Sequence, residues 1–161
     1  MRHLVLAASL STCLGLAACG SDDADVSGNY MTTITNGGNG CNFGNWTVGA
    51  VTNAAVTVTQ GGNRVTASVT GLPGLLLDAA LGDHVYTGIV SGDSLDVNLF
   101  GTRTSNTGNC TYTYNSEIHA AVTGDVLTGK IDYTSATNGN PDCAAIMDCR
   151  SSQDFNGTRP P

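Results

Sequence analysis

The sequence predicts an all-β domain, an eight-stranded antiparallel up-and-down barrel, and three observations lead there. From residue 28 onward, apolar and polar residues alternate with a period of two in most runs. Gly61-Gly62, Gly92-Asp93 and Gly124-Asp125 each sit between two such runs, where two-residue hairpin turns belong. Thr, Val, Gly and Asn dominate while Glu, Lys and Gln are scarce, a strand-and-turn composition.

In order, the strands fall at 28–35, 46–60, 63–70, 84–91, 94–101, 110–122, 125–134 and 153–159. The run 46–60 keeps one phase from Trp46 through Val48 and Ala50 to Val56 and Val58, which predicts one long strand bent at Gly49 or Asn53. Val65, Ala67 and Val69 oppose Arg64, Thr66 and Ser68, and Leu95, Val97 and Leu99 oppose Asp96 and Asn98. Tyr112, Tyr114, Ile118 and Val122 oppose Thr111, Thr113, Glu117 and His119, and Leu127, Ile131 and Tyr133 oppose Thr128, Lys130 and Asp132. Strands this one-sided belong to an antiparallel sheet with one wet face. The last run, Gln153 to Thr158, alternates with Phe155 inward beside Tyr30 or Tyr133. With an even strand count the last strand runs antiparallel to the first, so the edges can pair and close. A two-sheet β-sandwich uses the same pattern and is the alternative.

The N-terminus sets the domain boundaries. Met1-Arg2-His3 is a short positive region, and Leu4 to Leu16 is an apolar stretch too short to span a bilayer. Leu16-Ala17-Ala18-Cys19 follows, and this junction resembles the lipobox of bacterial lipoproteins. The resemblance implies cleavage before Cys19 and acylation of its thiol and its new amino terminus. The expected organisation is a signal peptide at 1–18, a lipidated Cys and flexible leader at 19–27, and one barrel domain at 28–161. Two or more acyl chains anchor a protein stably, and no other segment reads as a transmembrane helix. Gly20 stands where Asp favours inner-membrane retention in the enteric-type rule, so the expected location is the outer membrane, facing the periplasm or the cell surface. A net charge of -7 with scattered basic residues excludes nucleic acid as a partner.

Of the six Cys, Cys13 leaves with the signal and Cys19 is taken by lipid. Cys41, Cys110, Cys143 and Cys149 remain, which in an oxidising compartment predicts two disulfides. Zinc is disfavoured because no Cys-x2-Cys pair occurs and no His lies near a Cys. All tight turns fall at one barrel end. The long connections 36–45, 71–83, 102–109 and 135–152 fall at the other, with all four Cys. That layout resembles the lipocalin-like or calycin barrel, small bacterial lipoproteins of that shape included, and Gly28-Asn29-Tyr30 resembles the Gly-x-Trp of the first lipocalin strand with Tyr for Trp. The strand order favours Cys110–Cys143 and Cys41–Cys149. The rival local pair Cys143–Cys149 lies about 9 Å apart if Asp142 caps a helical turn through Met147.

Catalytic signals are sparse, and neither an enzyme nor a cofactor or metal site is expected. His119 shares the polar face of its strand with Glu117 but has no third partner in the sequence, and His84 follows Asp83 at a loop junction. Ser91 misses the spacing of a nucleophile elbow, and Asn138 to Asp142 lacks the EF-hand spacing. The candidate site is the long-loop mouth: Trp46, Leu75, Leu76, Leu77, Tyr112 and Tyr133. Leu75 to Leu77, with Ala79, Ala80 and Leu81, predicts a short helix plugging the open end, with a ligand lid or membrane-touching patch as the functional alternative. Two functions follow. The first is an envelope-anchored lipoprotein with a binding or structural role, engaging a small apolar ligand or an envelope protein at the mouth. The second is an inhibitor or interaction module acting on an envelope or extracellular hydrolase. A void among inward residues favours the first; a filled barrel with a protruding stapled loop favours the second.

Overall fold

A strand leaves no row of backbone groups unpaired only when it has a neighbour on each edge, and in the computed structural model, which describes residues 23–160, each long run has two. The signal pattern at 1–18, Cys19 and the start of the leader lie outside the described residues. The elements are β1 (Gly28–Asn39), β2 (Val51–Gly61), β3 (Arg64–Thr70), α1 (Gly71–Leu81), β4 (Val85–Ser91), β5 (Ser94–Leu99), β6 (Ser105–Thr107), β7 (Cys110–Thr123), β8 (Val126–Thr137) and β9 (Arg150–Thr158). Every pairing is antiparallel. The ring runs β1-β2-β3-β4-β5-β7-β8-β9 and closes where β9 pairs with β1, with Ile34 opposite Phe155. It is a closed barrel, not a sandwich. β6 stands outside the ring of eight and pairs with the start of β7 beyond the end of β5.

The three tight turns come out at Gly62-Asn63, Gly92-Asp93 and Gly124-Asp125. Each opens on a glycine at positive φ (64°, 55° and 57°) followed by a residue at negative φ, the φ pattern of a type II′ turn. The first turn is therefore one residue later than Gly61-Gly62, because Gly61 pairs with Arg64 and the left-handed position falls on Gly62.

The other departures lie toward the mouth. Residues 46–50 are not strand: the chain turns at Gly49 (φ 80°), whose N–H donates to Asn36 O, and β2 starts only at Val51. Val48 is left exposed despite its phase. β1 runs on through Asn36-Gly37-Gly38 to Asn39 by a bulge against β9, where three steps on one strand match two on the other. β8 and β9 also extend toward the mouth, to Thr137 and back to Arg150, and β5 stops at Leu99 instead of 101.

Inward residues build the core: Val58, Val65, Ala67, Tyr86, Val90, Leu95, Val97 and Leu127 are all buried. The turn end is plugged by residues 23–27, expected as part of a flexible leader. Val26 is fully buried at 0 % exposure, its N–H donates to Gln60 Oε1 (2.8 Å), and the Tyr30 hydroxyl donates to its carbonyl (3.1 Å). The Ala24 N–H donates to Gly92 O (2.9 Å), and Gly92 N–H donates to Asp23 Oδ1 (2.8 Å). Arg159 latches the C-terminus over this plug, donating to Asp125 Oδ1 (2.8 Å) and to the Ser27 carbonyl.

Candidate functional site

At the other end the barrel stays open inside. A cavity of about 640 Å³ runs from the mouth down the lumen, within the usual size of small-molecule sites. Its floor is aliphatic, with Val58, Ala67, Leu95, Val97 and Leu127, and Phe155 closes one wall. A small inward side chain contributes to the space: where a wall strand offers a residue as short as Ala67, eight strands leave a gap.

Two structures frame the mouth. The first is the 40–50 loop. Cys41 joins Cys149 across a sequence separation of 108, and Asn39 clamps the loop by accepting from Phe43 N–H (2.8 Å) and donating to Phe43 O (3.0 Å). Phe43 then packs on Trp46 (5.6 Å between ring centroids), Tyr114 (4.8 Å) and Tyr133 (5.9 Å), and the Trp46 indole N–H donates to Gly37 O (3.0 Å). The second frame is α1. Gly74 lets it approach β3, since a side chain there would collide with the Val69 carbonyl, and Leu81 O accepts from Thr102 and Arg103 N–H. Leu77 and Leu81 pack on the core, whereas Leu72 (69 %) and Leu76 (60 %) stay exposed while lining the cavity entrance.

Between mouth and floor lies a polar layer. Tyr133 donates to Gln153 Oε1 (2.9 Å), and Gln153 Nε2 donates to Asn36 Oδ1 (2.7 Å). Tyr86 donates to Ser116 Oγ (2.9 Å). Burial pushes the Tyr86 phenol up to about 12 and raises Tyr133 well above the ordinary phenol range, so both stay neutral.

Four of the six mouth residues expected from the sequence meet at this cavity: Trp46, Leu76, Leu77 and Tyr133. Two do not. Leu75 points along the outer side of α1, beside His84 and Asp78, because at about 100° per residue it lies on the side of the helix opposite Leu77 and Ala80, which line the cavity. Tyr112 packs on Tyr114 (5.6 Å) at the rim, where β7 is already paired with β6. Missed from the sequence were Phe43, hidden in a Gly- and Asn-rich loop, and the Asn36–Gln153 pair, which reads as turn polarity until β1 and β9 are placed side by side.

The disulfides are Cys41–Cys149 and Cys110–Cys143, the pairing the strand order favours. The turn between their two late partners is capped by Asn140, whose side chain accepts from Asp142 N–H, and not by Asp142; Asp142 instead accepts from Asn109 N–H (2.9 Å). Elsewhere, His119 gains the partner the sequence did not supply: Asp96, across the strand pair at 2.5 Å, with Glu117 at 3.8 Å. This triad lies on the outer wall away from the cavity. Asp78, Asp83 and His84 bring their ligand atoms within 4.8 Å of each other. Asp83, however, is taken up as a cap for the N–H groups of His84 and Val85, and Asp78 binds His84 Nδ1 at 2.8 Å.

No family model matches the chain. No curated protein matches it either. Among solved structures, that of EF1p2_mFAP2b bound to DFHBI aligns with a TM-score of 0.48 and 9 % identity, over 88 % of this chain and 99 % of that one.

Proposed function

We propose that the protein is a lipid-anchored binding protein of the bacterial envelope that takes a small, mainly apolar ligand into its barrel. The observation that supports the reading is the cavity of about 640 Å³, apolar on its floor, open at one end and walled by pinned loops. A domain of this size ordinarily packs its interior to the density of a crystal, so a lumen this large points to an occupant. The cavity also favours binding over the inhibitor reading, since the stapled 40–50 loop folds its aromatic residues down onto Tyr114 and Tyr133. The anchor fits the same geometry. Asp23 sits on the turn end, so a lipid at Cys19 tethers the sealed end and turns the mouth away from the bilayer.

Titration with a neutral aryl-naphthylamine dye tests the binding half. Saturable one-to-one binding with a shift in Trp46 emission is expected, and Val97→Trp, which fills the lumen, should abolish it. A dye that binds only non-saturably, or equally well to Val97→Trp, refutes it. Fractionation tests the anchor: Cys19→Ala should leave the membrane pellet, and retention equal to wild type refutes that half.

A further inference from the structure

The cavity has room for many apolar molecules, but its polar groups narrow the class. Among the described residues its lining contains no Asp, Glu, Lys, Arg or His. What it offers instead is a layer of neutral groups, Asn36, Gln153 and Tyr133, below the Phe43–Trp46 cover and above the aliphatic floor. Their mutual bonds leave capacity over. Tyr133 donates to Gln153 and Gln153 donates once to Asn36, so one Gln153 N–H and a free lone pair on its carbonyl remain. Such a set can both donate and accept, and it carries no charge to balance an ion.

We infer that the cavity selects an uncharged ligand, an apolar body with one hydroxyl, carbonyl or amide group held at the Asn36–Gln153–Tyr133 layer. The inference rests on the binding reading above and specifies its ligand class. An ionised carboxylate or ammonium drawn to that depth loses its hydration and meets no counter-charge, which costs several kcal/mol for a buried ion in general. A hydroxyl or amide at the same depth exchanges its water bonds for bonds to the Gln153 amide and loses little. The protein's net charge of -7 adds to the bias against anions. Neutral phenols complete the layer, since burial keeps Tyr86 and Tyr133 protonated across the physiological range.

Calorimetric titration of the disulfide-bonded soluble domain with 1-decanol, decanoate and decylammonium at pH 8 decides the matter. The expected result is decanol binding at least about tenfold tighter than either ion. Decanoate or decylammonium binding as tightly as decanol overturns the selectivity while leaving the binding reading intact. Binding of none of the three, together with failure of the neutral dye, overturns the binding reading itself. A gain-of-function variant gives a second readout. Gln153→Lys places a cation in the layer and should reverse the order so that decanoate binds tighter than decanol; a folded Gln153→Lys protein that keeps the wild-type order speaks against Gln153 as the recognising group.

Discussion

At the turn end, the chain reverses three times in two residues each, and one leader residue, Val26, fills what the strands leave. At the mouth, four long connections cover the opening with a helix, an aromatic cluster and both disulfides, and still leave a cavity. The first end is sealed by three tight turns, one apolar plug, and the side chains of Gln60, Tyr30 and Asp23 bonded to main-chain groups around it. The second is held by cross-links between loops far apart in sequence. The contrast separates two demands. A seal needs short turns and one small plug, whereas a mouth needs loops long enough to form walls and stiff enough not to collapse into the lumen.

That division predicts that the disulfides matter most for stability, and unequally. Cys41–Cys149 closes a separation of 108 residues and Cys110–Cys143 one of 33. The loop-closure model gives about 4–5 kcal/mol for the first and about 3–4 kcal/mol for the second. Denaturant melts of the paired Ser variants check the order. Loss of Cys41–Cys149 should also release the Phe43 cover and weaken ligand binding, so a Cys41→Ser/Cys149→Ser domain with unchanged stability and binding removes the distinction between the ends.

The polar layer of the mouth half should show itself at high pH. Tyr86 is fully buried and its folded value is about 12 against an ordinary 10, so the unfolded phenol ionises first. Its contribution is complete below pH 10 and is lost as pH rises from 10 through about 12, a fall of roughly 2–3 kcal/mol. Tyr86→Phe should flatten that alkaline fall in denaturation midpoints while changing stability at pH 8 far less. An alkaline profile identical in the two proteins rules out Tyr86 as its source.

A smaller effect compares one residue at each end directly. Val26→Ala deletes buried methyls from the plug and should cost about 1–2 kcal/mol with ligand affinity unchanged. Leu76→Ala, exposed on α1 but lining the entrance, should stay within about 0.5 kcal/mol of wild type in stability yet weaken binding of the neutral dye. The opposite assignment of the two effects would mean that the ligand enters at the turn end.

The same contrast explains what the sequence could tell. Strands and turns are local: alternation puts Val65, Ala67 and Val69 inside, and a glycine before Asp marks two of the three turns at the right residues. The disulfide pairing follows from strand order, because an up-and-down ring fixes which loops are neighbours. The mouth was read less well since its residues act through tertiary contacts. Trp46 and Val48 continue the phase of β2, yet Gly49 bends away to bond Asn36, and no periodicity reveals that partner. Val26 is a single apolar residue in a polar leader, too short a signal to read as core. Gln153 and Asn36 lie far apart in the chain, and only the closing β1–β9 pair makes them a site.

The smallest expected effect lies on the outer wall, which serves neither end. Asp96, His119, Lys130 and Asp154 form one row across four strands, paired as Asp96–His119 at 2.5 Å and Lys130–Asp154 at 2.8 Å. The hydrogen bond to Asp96 is the main cause that lifts His119 above its ordinary 6.5, with burial opposing it and the charges of Asp96, Glu117 and Asp132 assisting. A raised value means that folding binds the proton more tightly. The stabilisation is therefore complete below pH 6.5 and fades as pH rises through the folded value. Because His119 is more than half exposed, solvent screens the pair and its worth stays under about 1 kcal/mol. The wild-type advantage over His119→Asn should be measurable in denaturant melts at pH 5.5, shrink at pH 8.5, and shrink again in roughly 1 M salt, where charges are screened beyond about 3 Å. Binding of the neutral dye should not change in this variant, since the row points away from the lumen. An advantage that instead grows with pH reverses the assignment of His119 as the proton-binding partner of Asp96.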